Sequence, residues 1–397
     1  MTSQRDLPVV IVGGGAIGSA IAYFLTLQQP GLPVVVVERD STYAQASSAL
    51  SASSIRQQFS TAINIALSQF GIGFLRNLKN ELAVGNDRPD VGLVEDGYLY
   101  LATSAGEAVL RENHALQRAH NVDVALLSPE ALKARFPWLH VDDIVLGSLG
   151  LSAEGWFDGY LLLQALKAKA ISQGVRYVRA EAVGAEQAMH DGVNHVQAVL
   201  LQDGTRMACR AMVNAAGPWA RPVAGWLGID LPVHGKRRTV FNMSSPEPLP
   251  QCPLLIDPSG IWLRPEGKGF ISGFCPEPQF DGNDIPLDVE HDAFENHVWP
   301  TLAERIPSFE ALRVESAWAG YYEMNLFDHN GIIGQHPSCD NAYFANGFSG
   351  HGLQQCPAAG RAIAELLLTG SYQSLDVSPL GFERLLRNEP LLEKCVI

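Results

Sequence analysis

The sequence has little positive charge for its length. Its 397 residues include 28 Lys and Arg against 42 Asp and Glu, which gives a formal net charge of −14 at pH 7. Nucleic acids and anionic membranes select for basic surfaces, so this balance argues against either of them as the main partner. An anionic small molecule would need a local excess of positive charge at its binding site.

Cysteine motifs and long hydrophobic runs are also lacking. The six cysteines form no C-x-x-C pair and have no companion histidine spacing, so neither a zinc site nor a disulfide framework is predicted. No apolar run approaches the roughly 18 to 20 residues that span a bilayer. The first strand is predicted to begin at Val9, which leaves no room for a signal peptide. We therefore expect a metal-free cytoplasmic protein, or one of the mitochondrial matrix if the source is eukaryotic.

The most informative segment is VVIVGGGAIG at 9–18. Four β-branched residues run into glycines, which predicts a buried parallel strand that turns sharply into a helix. Gly13, Gly15 and Gly18 fit the G-x-G-x-x-G spacing, in which glycines permit the turn, the approach of a pyrophosphate to the backbone, and close helix packing. The phosphates would lie at the helix N-terminus.

An acid stands at the expected distance behind this motif. Glu38 ends the next apolar run, VVVVE, twenty residues beyond Gly18, where a carboxylate can accept hydrogen bonds from ribose hydroxyls. Strand, glycines, helix and acid together predict an adenine dinucleotide site rather than a glycine turn that only packs a helix on a sheet. The motif leaves NAD and FAD open, although its place near the N-terminus favours FAD.

The rest of the chain predicts two interleaved domains, which fits its length. A polar stretch over 45–60 is predicted to be a loop against a ligand, and helices are expected over 62–82, 159–173 and 292–305. The region 231–323 has short strands typical of a mostly antiparallel sheet. We assign the nucleotide-binding domain to 1–90, 151–230 and 325–397, and a substrate domain to 91–150 and 231–324.

The motifs VVIVGGGAIG with VVVVERD, VNAAGPWA and YFANGFSGHGLQQCPAAGRAIAELL carry a resemblance to a known family. Together they resemble the D-amino-acid-oxidase superfamily of FAD enzymes, in its sarcosine oxidase and dimethylglycine dehydrogenase branch. The resemblance covers essentially the whole chain. It implies an α/β fold, with a glutathione-reductase-like FAD-binding Rossmann domain and a discontinuous substrate domain whose antiparallel sheet covers the flavin.

The resemblance also implies residues that hold non-covalent FAD. Phosphates would lie on Gly13, Gly15, Ala16, Ile17 and Gly18, and ribose on Glu38. The remaining contacts run from the adenine to the flavin ring, and are made by Arg39, Val183, Ser47, Ser48, Ala216, Gly217, Trp219, Gly320, Gly350, His351, Gly352, Leu353 and Gln354. Amides that open a helix beneath the ring stabilise the negative charge that collects on reduction.

For the substrate, the resemblance implies that Arg56 binds a carboxylate, and guanidinium grips carboxylate bidentately. Gln354 stands where sarcosine oxidases have a second carboxylate-binding lysine, and Tyr322 stands where glycine oxidases have an arginine. Gly320 falls at the position of the cysteine that holds covalent flavin, which favours dissociable FAD. His351 is expected to bond the flavin or substrate, or to serve only as a structural group.

Four further positions belong to the region of the expected pocket. Tyr321 and Arg264 are candidates for its lining. Cys356 is expected to be a buried, inert thiol. The segment GFISGF, where relatives have the lysine that activates oxygen, contains no lysine, and Lys268 lies just before it. We therefore expect a dehydrogenase or a poor oxidase.

The leading hypothesis is oxidation of the C–N bond of an amino acid, with a secondary or N-substituted amine as the substrate. Hydride would pass to flavin N5, and the imine would then hydrolyse. Electrons would leave to a carrier, a quinone or oxygen. Two alternatives stay open: oxidation of a 2-hydroxy acid, assisted by a base such as His351, and a flavin-containing assembly or binding protein without turnover.

Overall fold

The computed structural model describes residues 6–190 and 192–394, so the ends of the predicted nucleotide-binding domain, 1–5 and 395–397, lie outside the described residues. The strands are β1 (Val9–Val12), β2 (Val34–Glu38), β3 (Ser54–Ile55), β4 (Tyr98–Ala102), β5 (Val124–Leu127), β6 (Leu146–Gly150), β7 (Gly155–Trp156), β8 (Arg176–Arg179), β9 (Ala182–His190), β10 (Val193–Leu201), β11 (Arg206–Ala208), β12 (Ala211–Asn214), β13 (Val233–Ser244), β14 (Leu254–Ile256), β15 (Trp262–Glu266), β16 (Gly269–Gly273), β17 (Arg313–Asn325), β18 (Ile332–Gln335) and β19 (Ala342–Asn346). The helices are α1 (Ala16–Gln28), α2 (Ser47–Leu50), α3 (Ala62–Glu81), α4 (Glu107–Ala119), α5 (Pro129–Arg135), α6 (Gly159–Ser172), α7 (Ala220–Gly225), α8 (Trp299–Arg305), α9 (Gly352–Thr369) and α10 (Glu383–Leu386).

The first sheet has six strands in the order β18-β19-β12-β1-β2-β8. Its strands pair in parallel except β18, which runs antiparallel to β19. Strand β1 lies near the centre and is fully buried, as its run of β-branched residues predicts for a strand covered on both faces. Residues of α1, α3, α6 and α9 form the core on one face. On the other face, the core includes β10 and α7.

Helix α1 lies unusually close to the strand that precedes it. A Cβ atom on Gly18 would fall 2.0 Å from the carbonyl oxygen of Gly13, so only glycine fits this position without movement of the backbone. A Cβ on Gly360 in α9 would fall 2.7 Å from Cβ of Ala20 in α1. Two glycines therefore let the turn, α1 and α9 pack as one unit.

The second sheet has eight strands in the order β17-β13-β16-β15-β14-β4-β6-β5. Neighbours are antiparallel except β14 and β4, which are parallel. Its strands come from two stretches, 98–150 and 233–325. The mostly antiparallel sheet and the mixed α/β architecture confirm the predicted fold class. The domain boundaries themselves stay a prediction.

One local prediction differs from the structure, since the stretch 45–60 contains the short helix α2 and the short strand β3 rather than a continuous loop. The predicted helix over 292–305 is helical throughout, with a π-type turn at Phe294–Val298 that continues into α8, where Pro300 occupies the first turn.

Neither a membrane-spanning helix nor a cluster of metal ligands is present in the part of the chain that the structure describes. Its helices are too short or too polar to cross a bilayer. Within 6–190 and 192–394, no three His, Cys, Asp or Glu residues come together in a way that could hold a metal ion.

The C-terminal segment binds the start of α3 through one carboxylate. Glu393 accepts hydrogen bonds from the backbone and hydroxyl of Ser60, from the hydroxyl of Thr61 and from the amide of Asn64. The side chain is buried, so these charge-assisted bonds replace its hydration and also favour the helix N-terminus electrostatically.

We predict that Glu393→Ala lowers the free energy of unfolding by about 2 to 4 kcal/mol, because several donors lose a charged acceptor in a buried site. Urea denaturation followed by circular dichroism measures the change. Glu389→Ala, at a nearby exposed acid, is the matched control and should change stability by less than about 0.5 kcal/mol. Equal effects of the two substitutions would contradict the role assigned to Glu393.

Candidate active site

A long cavity lies between the carboxyl ends of the central strands of the first sheet and the face of β13 and β17. It begins at Glu38, passes the glycine turn at Gly13, and ends among Tyr322, Trp262 and Phe274. Strand order places the crevice beside β1, whose neighbours β2 and β12 lie on its two sides. Ligands of open α/β sheets bind at such an edge.

The glycine turn leaves bare backbone at one wall of the cavity. Gly13 has φ of +100°, and a Cβ there would fall 2.4 Å from the carbonyl oxygen of Ala215. Gly15, Ala16 and Ile17 line the cavity at the start of α1, whose N-terminus has no side-chain cap. The free amide N–H groups there can donate hydrogen bonds to a phosphate. Gly18 differs from the prediction, since it packs beneath the turn and does not line the cavity.

The carboxylate of Glu38 is fixed by two hydrogen bonds and can accept more. Its Oε2 accepts a hydrogen bond from the backbone of Gly14 and its Oε1 accepts one from the backbone of Asp40, each at 2.8 Å. The carboxylate lines the cavity, so its remaining lone pairs can accept ribose hydroxyls. Arg39 lies beside it, with Cζ 3.9 Å above the ring of Trp219.

Val183 does not line the cavity, and in this respect the sequence prediction is wrong. Its side chain is 49% exposed on β9, whereas Ala180, Glu181 and Ala182 form that part of the wall. Ala182 and Val183 are neighbours on β9, so their side chains point to opposite faces of the strand.

Ser47 and Ser48 provide the clearest test of whether a dinucleotide fits. Both side chains line the cavity, and both hydroxyl oxygens are buried without a hydrogen-bond partner among the described residues. A Cβ on Gly15 would fall 3.5 Å from Oγ of Ser48, so the hydroxyl and the phosphate-binding turn face the same space. Buried hydroxyls are normally satisfied, and a phosphate-bearing cofactor would supply acceptors here. The residues present therefore fit FAD.

The far end of the cavity contains the other predicted cofactor positions. A Cβ on Gly350, where φ is +94°, would fall 2.5 Å from Cε2 of Tyr322, so the loop before α9 lies directly against that ring. Gly320 has no thiol and approaches Leu50. The predicted residues that line this end are Ala216, Gly217, Trp219, Gly320, Gly350, Gly352 and Leu353.

Arg56, His351 and Gln354, which come from distant parts of the sequence, meet in one buried cluster. Nη2 of Arg56 lies 3.0 Å from Nε2 of His351, and the backbone of Arg56 donates to Oε1 of Gln354 at 2.9 Å. Burial, followed by the charge of Arg56, lowers the pKa of His351 well below its usual value. The imidazole is therefore neutral and its Nε2 accepts from the guanidinium. None of the three side chains lies in the wall of the main cavity.

Tyr322 lies between this cluster and a second arginine. Burial raises the pKa of its phenol, and the charges of Arg238 and Arg56 oppose that increase. Arg238 lies 5.4 Å from the Tyr322 ring and binds Asp281 through both terminal nitrogens, at 2.7 and 3.2 Å. Positive charge is thus concentrated at this end of a protein whose net charge is −14.

Arg238 and Glu323 are among the residues of this wall that sequence reasoning missed. The period of two along β13 could have identified Arg238, because Lys236 and Arg238 share one face of the strand while Arg237 points to the other. The short phrase YYE offered no comparable signal for Glu323.

The other candidate positions have different surroundings. Tyr321 lines the cavity and donates to the carbonyl of Ile285 at 2.7 Å. Arg264 donates from Nε and Nη2 to the carbonyl of Ala52, so it supports the loop before β3. Cys356 is fully buried, and burial raises the pKa of its thiol. Lys268 is exposed in the turn between β15 and β16, away from the cavity.

This combination of fold and site defines an α/β protein whose cavity, between a Rossmann-type sheet and an antiparallel sheet, suits an adenine dinucleotide. The sequence model of the DAO family, described as FAD dependent oxidoreductase, matches residues 8–366. The chain therefore belongs to the DAO family of FAD-dependent oxidoreductases, and its cofactor is FAD.

Individual relatives agree with this assignment. The chain is 42% identical to FAD-dependent oxidoreductase domain-containing protein 1 of Xenopus laevis over 100% of this chain and 87% of the relative. It is 24% identical to mitochondrial sarcosine dehydrogenase of Mus musculus over 91% of this chain and 40% of that protein. Its fold is similar to that of L-proline dehydrogenase from P. horikoshii, with a TM-score of 0.83, 24% identity, and coverage of 98% and 100% of the two chains.

We predict that Ser47→Ala combined with Ser48→Ala weakens FAD binding about tenfold or more, since two hydrogen bonds of about 0.5 to 1.5 kcal/mol each are lost. Quenching of FAD fluorescence by the apoprotein measures the affinity. The apoprotein should be as stable as the parent, because neither hydroxyl has a hydrogen-bond partner among the described residues. Ser41→Ala, at an exposed position, is the control. Unchanged FAD affinity in the double variant would contradict the assignment.

Proposed function

We propose that the protein oxidises the C–N bond of an amino acid, and that the substrate is a secondary or N-substituted amine. Membership of the FAD-dependent oxidoreductase family supports the redox class. Two similar proteins act by name on sarcosine and L-proline, both of which are amino acids with a secondary amine. Bound FAD would accept a hydride from the carbon that carries the amine.

The observation that carries the proposal is the placement of Arg56 beside Tyr322 and His351. The guanidinium lies near three aromatic rings, with its Cζ 4.6 Å from the centre of Phe59 and 5.9 and 5.7 Å from those of Tyr98 and Tyr100. Such surroundings exclude water, which strengthens the attraction between a guanidinium and a carboxylate. Arg56 lies next to Tyr322 and not in the cavity wall, so a substrate carboxylate would reach it only with a shift of the Tyr322 ring, and the adjoining carbon would then lie at the Tyr322 end of the cavity.

Glu154 supports the segment that carries Arg56. Its Oε1 accepts hydrogen bonds from the backbones of Gln57 and Gln58, at 2.5 and 3.0 Å, and its Oε2 accepts from the side chain of Gln58 at 2.8 Å. Two consecutive amides bound to one buried carboxyl group restrict the direction in which the preceding residue points. Arg56 is therefore preorganised, which reduces the entropy cost of binding an anion.

Oxidation of a 2-hydroxy acid receives less support from the site. That reaction needs a base for the hydroxyl proton, and His351 is the candidate at this end of the cavity. The pKa of His351 lies well below its usual value, because burial and the adjacent Arg56 both disfavour the cation. A group of such low basicity takes up a hydroxyl proton poorly at neutral pH. A neutral amine, in contrast, loses hydride without help from a protein base.

We predict that Arg56→Lys raises KM for the best amino acid substrate roughly 10- to 100-fold, since a bidentate charged contact is worth about 1.5 to 3 kcal/mol. FAD should remain bound. Anaerobic mixing with a panel of N-alkyl amino acids, cyclic amino acids and 2-hydroxy acids, read as loss of flavin absorbance, identifies the substrate and gives the kinetics. Arg76→Lys, at an exposed arginine paired with Glu95, is the control.

Three results of this experiment would refute the proposal. Unchanged kinetics of Arg56→Lys would remove the carboxylate-binding role. Reduction by 2-hydroxy acids but not by amines would favour the alcohol reaction. A flavin that no compound reduces, in a protein that co-purifies with a specific partner, would favour an assembly or binding role.

We further propose that the reduced protein passes electrons to a carrier or quinone faster than to oxygen. No lysine lines the main cavity within the described residues, Lys268 is exposed in a turn, and the charge of Arg238 at the Tyr322 end of the wall is paired with Asp281. A cation beside the flavin stabilises the superoxide-like charge that oxygen reduction develops.

The expected result is that substrate-reduced protein is reoxidised at least tenfold more slowly by air than by a soluble quinone. Stopped-flow absorbance measures both rates, and a peroxide assay measures the yield. Rapid, stoichiometric peroxide formation in air would contradict this part of the proposal.

A further inference from the structure

Glu323 is a buried acid that the proposed reaction does not use. Its side chain lines the main cavity and is only 8% exposed. Its Oε2 is buried and has no hydrogen-bond partner among the described residues. An orphaned buried polar group costs about 1 to 3 kcal/mol, so such an atom in a ligand cavity indicates a partner supplied by the ligand.

Contacts with both sheets fix the position of the Glu323 carboxyl group. Glu323 lies on β17 opposite Gly235 of β13, and its backbone carbonyl accepts a hydrogen bond from Ser349 at 3.0 Å. That bond ties the strand to the loop that precedes α9. Oε2 lies 3.8 Å from the point where Gly217 would carry a Cβ, and Oε1 lies 3.4 Å from the corresponding point of Gly352. The acid thus faces the space between the end of β12 and the start of α9.

The surroundings favour the neutral acid. Burial raises the pKa of Glu323 to about 8, and hydrogen bonds from the backbones of Gly347 and Phe348 oppose the increase without overcoming it. Burial and these two backbone amides act on the pKa of Glu323, no charged side chain of the described residues does, and Gly217 after β12 and Gly352 of α9 approach its carboxyl group. At neutral pH the group therefore carries a proton that it can donate.

We propose that Glu323 positions the cofactor, by donating a hydrogen bond from its carboxylic acid to an oxygen atom of FAD in the space between Gly217 and Gly352. The glycine turn and Glu38 face the phosphates and the adenosine ribose, so this contact acts on the part of the cofactor that lies nearer to Tyr322. The inference depends on FAD as the cofactor and not on the substrate. Its failure is therefore distinguishable from failure of the proposed reaction.

A hydrogen bond donated by Glu323 would make the affinity for FAD depend on pH. A deprotonated Glu323 could only accept, and its charge would repel an electron-rich oxygen of the cofactor. Because the protonated form binds, the dissociation constant of FAD should be constant below about pH 8 and should rise above it, by up to tenfold per pH unit. Glutamine keeps the shape and a donor but cannot lose a proton in this range, so Glu323→Gln should bind FAD as tightly as the parent at pH 7 without the pH dependence.

The experiment is a titration of apoprotein with FAD from pH 6.5 to 9.5, followed by fluorescence quenching, for the parent, Glu323→Gln and Glu323→Ala. The alanine variant should bind about tenfold or more weakly at pH 7, because the donor is lost, and its affinity should not change between pH 7.5 and 9.5. Glu315→Gln, at an exposed acid on the same strand, is the control and should keep the parental profile.

The stability of the apoprotein separates this role from a structural one. Glu323→Gln keeps an acceptor for the backbones of Gly347 and Phe348, so its apoprotein should melt at the parental temperature, whereas the alanine variant loses both bonds and should melt lower. Equal pH profiles for the parent and Glu323→Gln would overturn the proposal. Parental FAD affinity in Glu323→Ala at pH 7 would also overturn it. If the alanine variant does not fold, the comparison of the parent with the glutamine variant decides.

Discussion

The close contact between the loop at 347–352 and strand β17 is the constraint on which the site depends. The loop continues from β19 in the first sheet, while β17 belongs to the second. Gly350 lies against the ring of Tyr322, and the hydroxyl of Ser349 accepts from the backbone of Asn325 at 3.0 Å. A side chain on Gly347 would meet Val233 at 2.9 Å. Without these approaches the sheets would not close over one cavity, and the helix start of α9 would not face it.

The contact between the two sheets also determines which charged side chains are buried near the cavity. The protein as a whole is acidic, yet Arg56 and Arg238 both act on the phenol of Tyr322. Each cation is stabilised differently: Arg238 by the carboxylate of Asp281, and Arg56 by a neutral histidine and aromatic rings. A buried charge is tolerated only with such partners. Of these two cations only Arg238 lies in the cavity wall, and the opposite end of the cavity presents the carboxylate of Glu38 beside Arg39.

Local sequence patterns predicted the nucleotide-binding half well. The strand, turn and helix at 9–28 and the acid at Glu38 depend on neighbours within one supersecondary unit, so spacing alone carries the information. Resemblance to a family supplied the cofactor and the second sheet. Predictions were less accurate where orientation matters: Val183 points outward, Gly18 packs under the turn, and 45–60 contains a short helix rather than a continuous loop.

The amino-acid sequence by itself determined the α/β class, the dinucleotide motif and the candidate residues, because each depends on periodicity or on a short spacing. Only the tertiary structure decided which candidates meet and which face the cavity. Arg56 and His351 are 295 positions apart, and their contact arises from the packing of β3 against the start of α9. The role of Glu323 also depends on tertiary structure, because its carboxyl group loses its water and keeps an oxygen without a hydrogen-bond partner only when the two sheets close around it.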